Sequence, residues 1–97
     1  MKLLLTSILT AVSFTNVSAL AATASLTPFE VANAAYNGSL KEQGISSFGG
    51  LCDDLFSRAV TSTDVMNAAV KAKLLNPTDA NSEFSSYLQM QLEGLCH

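Results

Sequence analysis

Thr27-Pro28-Phe29-Glu30-Val31-Ala32-Asn33-Ala34-Ala35-Tyr36-Asn37-Gly38-Ser39-Leu40-Lys41-Glu42-Gln43-Gly44-Ile45 holds the plainest start and stop signals in the chain. Thr27 is a good N-cap, because its hydroxyl can accept from an unpaired amide of the first turn. Pro28 fits the first helical position, where no amide donor is needed. Glu30 stands three residues after Thr27 and completes a capping box, and its charge suits the positive end of the helix. Phe29, Ala32, Tyr36 and Leu40 then recur at helical spacing. Gly38 interrupts this run at a cost of ~1 kcal/mol relative to Ala. The spacing predicts a helix that continues through Gly38, with another helix packed close to the glycine. Gly44 followed by Ile45 reads as the stop, a left-handed glycine with an apolar residue folding back.

Helical patterns continue downstream. Ser46 or Ser47 can cap a second helix. Phe48, Leu51, Cys52, Leu55, Phe56 and Ala59 form the clearest amphipathic stripe, with Asp53, Asp54, Ser57 and Arg58 on the other side. Gly49 and Gly50 weaken its first turn. Thr61-Ser62-Thr63-Asp64 is a second capping box, and Val65, Met66, Ala69, Val70 and Leu74 follow it. Asn76-Pro77 is the expected end of that helix, since a residue before proline avoids helical geometry. Asn81 or Ser82 can cap a last helix with Phe84, Tyr87, Leu88, Leu92 and Leu95 on its apolar face and Gly94 at its fraying end. No segment alternates with period two over a useful length. The expected fold is all-α, a small bundle of about four short helices in a single domain over residues 27–97.

Upstream of Thr27 the pattern changes. Met1-Lys2 is a short positive start, and residues 3–14 form an apolar run whose only polar members are Thr and Ser. Small residues follow, as expected at the cleavage site of a secretory signal peptide. Cleavage can fall after Ala19, Ala21 or Ala24, and Ala21 is preferred. That assigns residues 1–21 to the signal peptide and 22–26 to a short tail. The competing reading is an uncleaved anchor, because residues 3–24 are uncharged and a bilayer needs about 20 apolar residues. The strongly apolar part is short, which favours cleavage. The expected location is secreted or periplasmic, with no stable membrane association after cleavage.

Cleavage after Ala21 leaves 76 residues with four basic and eight acidic side chains, a formal net charge of −4. A single core of this size supplies only ~3–5 kcal/mol, so a covalent staple matters. Cys52 and Cys96 lie 44 positions apart. In an oxidising compartment they are expected to form one disulfide. Loop closure on that scale contributes roughly 4 kcal/mol before native strain is subtracted. The alternative is two free or intermolecular thiols.

Several chemistries are disfavoured. Lys2, Lys41, Arg58, Lys71 and Lys73 are scattered, and the pI is near 4.7. Nucleic-acid binding normally draws on a gathered positive patch, so nucleic acid is a poor partner. The same argument sets aside a helix-turn-helix around Val60-Thr61. His97, the sole histidine, is the last residue, and Cys96-His97 alone is a poor metal site. A nucleophile–histidine catalyst would also have to use His97. Asp53 and Asp54 diverge by ~100° around a helix and do not form a close acid/base pair. No catalytic residue, cofactor-binding residue or metal ligand is assigned, and no cofactor is expected. Asn37-Gly38-Ser39 matches the N-glycosylation sequon, which a helical location would disfavour and whose meaning depends on the organism.

Leu26-Thr27-Pro28-Phe29-Glu30, Ala35-Tyr36-Asn37-Gly38 and Lys41-Glu42-Gln43-Gly44-Ile45 together resemble the start of small exported proteins found in cyanobacteria. Thr61-Ser62-Thr63-Asp64-Val65 and Ala68-Ala69-Val70-Lys71-Ala72 are similar to their central helix. The resemblance covers most of the exported chain and implies no assigned activity. It carries over no catalytic residue, and the Cys52/Cys96 pair is not a feature associated with that family.

The expected function is therefore a non-catalytic exported binding or structural protein, with an unidentified protein as partner. Asn33, Asn37, Gly38, Lys41 and Glu42 are its candidate contact surface, since Gly38 and the polar residues beside it lack a full folding explanation. A carrier of a small apolar ligand is the alternative, with Phe29, Tyr36, Phe48, Phe56, Phe84 and Tyr87 around a cavity. Filling of the core by those aromatics is the simpler expectation, because so small a protein has little room for an open pocket. A secreted effector acting on another cell is the third class.

Overall fold

The computed structural model describes residues 25–97. The expected signal peptide (residues 1–21), its three candidate cleavage positions and residues 22–24 of the expected tail lie outside the described residues. Four α-helices occur in order: α1 (Pro28–Tyr36), α2 (Phe48–Phe56), α3 (Ser62–Lys71) and α4 (Ser82–Leu95). Single 3-10 turns at Lys41–Gln43 and Pro77–Asp79 lie in the connections before α2 and α4. The described residues contain no strand. The fold is an all-α bundle.

The helix starts form as their sequences dictate. The Glu30 amide donates to Thr27 Oγ1 at 3.2 Å, and the Thr27 amide donates to Glu30 Oε1 at 2.9 Å. Thr61 and Asp64 repeat the exchange at 3.2 and 2.9 Å. Each box satisfies two amides that a helix cannot pair internally. For α4 the cap is Asn81, whose Oδ1 accepts from the Phe84 amide at 2.8 Å. Ser47 precedes α2 but its side chain makes no capping bond.

The helix ends depart from expectation twice. First, α1 stops at Tyr36 instead of running through Gly38. Gly38 has φ +96°, and the chain there closes with Gly38 N–H to Ala35 O at 3.1 Å and Ser39 N–H to Ala34 O at 2.9 Å. This is the Schellman ending, whose left-handed position suits glycine because no Cβ clashes. Gly44 closes the following 3-10 turn the same way with φ +88°, and Ile45 folds back to donate to Leu40 O at 3.2 Å. Second, α3 ends at Lys71, well before Asn76-Pro77. Lys73 takes the left-handed position with φ 66°, while the amides of Lys73 and Leu74 donate to Val70 O and Ala69 O. This earlier ending lets Leu75 turn into the core, where it is buried.

The core is aliphatic. Val31, Ala32, Ala35, Leu40, Leu51, Val65, Ala69 and Leu88 are fully buried, and Leu92 nearly so. The broadest contact is between α1 and α4, followed by that between α3 and α4; α2 meets α1 sparingly. Phe29, Phe48, Phe56 and Tyr87, expected on apolar faces, are each more than half exposed. On α1 the buried face runs through Val31, Ala32 and Ala35, and short alanines there permit close approach to α4. On α2 only Leu51 is buried, because the helix ends at Phe56 and lies at the edge of the bundle. The ends of its stripe, Phe48, Phe56 and Ala59, overhang into solvent.

Two long-range ties finish the fold. Cys52 of α2 is disulfide-bonded to Cys96 at the end of α4, with Cα atoms 5.4 Å apart. The tail before α1 runs beside the α3–α4 connection: the Leu26 amide donates to Leu74 O at 3.0 Å, and Ser25 Oγ accepts from the Asn76 amide at 2.7 Å.

Because an exposed lysine occupies a position that favours glycine, Lys73→Gly is expected to raise stability by roughly 0.5–1 kcal/mol. Gln89→Gly, inside α4, is expected to lower it by up to ~1 kcal/mol. Denaturant unfolding of the three proteins measures both shifts.

Candidate functional site

The five residues proposed from sequence as a contact surface fall around the end of α1, and most have local structural work there. The Asn33 side-chain amide donates to Phe29 O, one turn back, at 2.9 Å. Asn37 is the C-cap of α1, and its amide donates to carbonyls of the preceding turn. Gly38 supplies the left-handed turn. A Cβ placed on Gly38 would meet Lys41 Cδ at 3.3 Å and Ser47 Cβ at 3.5 Å, so side chains rather than a neighbouring helix lie against it. Lys41 and Glu42 point outward from the 3-10 turn, and both are exposed. The sequon likewise sits at the helix end instead of inside the helix, with Asn37 and Ser39 exposed.

A better-formed concavity lies elsewhere. A groove of about 380 Å³ opens between the end of α2, the α2–α3 connection and the last turns of α4. Leu55, Phe56, Val60, Leu92 and Cys96 give it an apolar lining. Arg58, Gln89 and Glu93 supply polar lips, and Gln89 Nε2 donates to Glu93 Oε2 at 3.1 Å. Arg58 is set at this lip by a left-handed conformation of its own, with φ 65°, just after α2. Sequence reasoning missed the groove. Its residues come from two segments far apart in the chain, 55–62 and 89–96, and only Cys96 carried a signal linking them.

A second, shallower concavity of about 420 Å³ lies beside the tail, where Leu26, Pro28, Phe84 and Tyr87 meet Asp79 and Glu83. Phe48 belongs to neither concavity. Its ring meets Tyr36 edge-on, with centroids 5.3 Å apart and planes at 77°, a favoured aromatic geometry. Its backbone is left-handed, with φ 54°, which a bulky side chain rarely adopts. The six aromatics considered as a ligand cage are thus distributed over separate regions and do not enclose one cavity.

Ser85, the one buried polar side chain of the described residues, faces Ser62 and Thr63 of α3. Its Oγ lies 2.9 Å from Ser62 Oγ and 3.0 Å from Thr63 Oγ1. The three hydroxyls satisfy one another across the α3–α4 contact, as buried polar groups must. The cluster contains no base and serves packing. Among the described residues, no three His, Cys, Asp or Glu side chains gather where they could hold a metal ion. No helix among them is long and apolar enough to cross a membrane.

Gly38→Ala is expected to lower stability by more than about 1 kcal/mol, since alanine is strained at this φ. Lys41→Ala and Glu42→Ala are expected to change it by less than about 0.5 kcal/mol. Thermal unfolding of the three variants separates the structural member of this cluster from its surface members. Among known proteins, the chain matches no protein-family profile, no curated sequence and no solved structure.

Proposed function

We propose that this protein is exported and acts without catalysis, by binding another protein through its apolar surface. The observation that carries this reading is the placement of large apolar side chains. Phe29, Phe48, Phe56, Tyr87 and Met90 are 53–73% exposed, while smaller aliphatic residues close the core. Aromatic and methionine side chains are enriched at the centres of protein interfaces, where they add much contact area for little lost freedom. The leader-like residues 1–21 and the disulfide support an extracytoplasmic setting. So does the resemblance to small exported cyanobacterial proteins, which also accords with the lack of an assigned catalytic set.

A carrier of small apolar ligands is the weaker alternative. The aromatics it would use are dispersed, and the α2–α4 groove is lined with both polar and apolar groups. A secreted effector would use the same apolar surface on a partner from another cell.

Expression of residues 1–97 with a C-terminal tag, followed by fractionation and mass measurement, tests the export half. The expected product is extracytoplasmic and begins at Ala22; a full-length product retained in the membrane would support the anchor instead. Crosslinking and tag capture from the same fraction test the binding half. A reproducible partner is expected, and replacing at least one of the five exposed residues by Ser should lower its recovery about tenfold, as truncation of an interface anchor does. Capture unchanged by all five substitutions would defeat the proposed surface.

A further inference from the structure

We propose that the Cys52–Cys96 disulfide is a thiol–disulfide exchange site, attacked at Cys96 by a dithiol reductant, and that its opening releases α2 from an intact α1–α3–α4 body. Three features of the structure lead to this. The first is how weakly α2 is held. It has nine residues and a single buried side chain, Leu51. Gly49 and Gly50 lie in its first turn, Ser47 provides no side-chain cap, and Phe48 begins it in a left-handed conformation. Its noncovalent packing is chiefly a sparse contact with α1. Segments with few buried contacts open at lower free energy than the core.

The second feature is what remains without α2. α1, α3 and α4 pack on one another pairwise. They and their connections contribute every other buried apolar residue, from Val31 and Leu40 to Leu75 and Leu92. Both capping boxes, the tail hydrogen bonds and the Ser62–Ser85–Thr63 cluster also lie outside α2. Within α2 itself only Leu51 belongs to the buried set, with Leu55 partly buried against it. The bundle therefore has a body and an appended helix, and the disulfide is the cross-link that pins the helix to α4.

The third feature is the unequal position of the two cysteines. Cys96 lines the groove beside Leu55, Phe56 and Leu92, whereas Cys52 does not. Both are half-buried, so the groove supplies the approach to one side of the bond. Cys96 is also the C-cap of α4, beyond its last helical residue Leu95. Its side chain can move without disturbing the turns that carry Leu88 and Leu92.

Exchange requires a thiolate to reach a disulfide sulfur and expel the other as a thiolate. Here the first thiol of the reductant, as thiolate, bonds to Cys96 Sγ. The Cys96–Cys52 bond breaks, and its electron pair leaves on Cys52, which takes a proton from water. The reductant's second thiol then attacks the mixed disulfide and frees Cys96 as a thiol. The protein gains two electrons and two protons, and the dithiol becomes a disulfide. Departure of α2 carries Cys52 away from Cys96, which slows reclosure and commits the first step. It also bares the surface that buries Leu51, so the reduced protein presents a surface that the oxidised one covers.

The test uses the oxidised exported chain. Brief treatment with the monothiol 2-mercaptoethanol, acid quenching, alkylation of the released thiol and peptide mass mapping locate the first attack. The expected adduct is on Cys96 with the alkyl group on Cys52; an adduct predominantly on Cys52, or equally on both, overturns the assignment. Hydrogen exchange is then compared before and after reduction with dithiothreitol, and with the C52S/C96S double variant. Amides of residues 51–56 are expected to exchange about tenfold faster or more, while those at the centres of α1, α3 and α4 stay protected, the pattern of sub-global opening. Undiminished protection in α2, or equal loss of protection in all four helices, overturns the release.

Discussion

The structure depends on α4 lying against α1. Leu88 and Leu92, one turn apart on α4, are buried at the centre of the molecule, and Val31, Ala32 and Ala35 of α1 are wholly buried as well. Each leucine removed from water contributes ~1.5–3 kcal/mol, a large share of what so small a core can supply. The helices joined by this contact are the first and last of the described domain. Their pairing therefore closes the chain on itself and fixes where every intervening segment must return. α3 fits against α4 within that frame, with the Ser62, Thr63 and Ser85 hydroxyls satisfied across the contact. α2 lies outside it and is joined through Cys52.

The all-helical architecture was legible because helix starts have local chemistry. Thr27–Glu30 and Thr61–Asp64 specify their own hydrogen bonds, whatever lies around them. The disulfide was legible because only two cysteines are present. Helix ends were less so. A glycine is an ambiguous stop signal, because strain relief and close packing both favour it; at Gly38, with φ +96°, strain relief is the reason. At Lys73 nothing in the side chain marks the left-handed turn, because tertiary burial of Leu75 sets it.

The faces of the helices were harder still. Aromatic residues dominate any hydrophobic pattern by their size, so Phe29 and Tyr36 defined the apolar side of α1 in the sequence. Alanine is apolar but small, and its value lies in how closely it lets another helix approach. Ala32 and Ala35 won the interior for that reason, while Phe29 was left at the surface and Tyr36 only half-buried against the core. The α2–α4 groove was invisible because it is a property of two helix ends and a connection meeting in space. Its polar lip depends on Arg58 adopting a conformation that residue type does not announce.

The hydrogen bond between Asn76 and Ser25 joins positions 51 residues apart, at the very start of the described domain. A ribosome delivers the Ser25 end long before Asn76, and the α4 leucines later still. For most of synthesis the tail can find neither its hydrogen-bonding partners nor the surface that α1 is built to cover. Contacts this distant in sequence form late, because the intervening chain must be closed before they repay its lost freedom. The topology thus leaves the docking of the N-terminal end of the domain to the last part of the chain to be made.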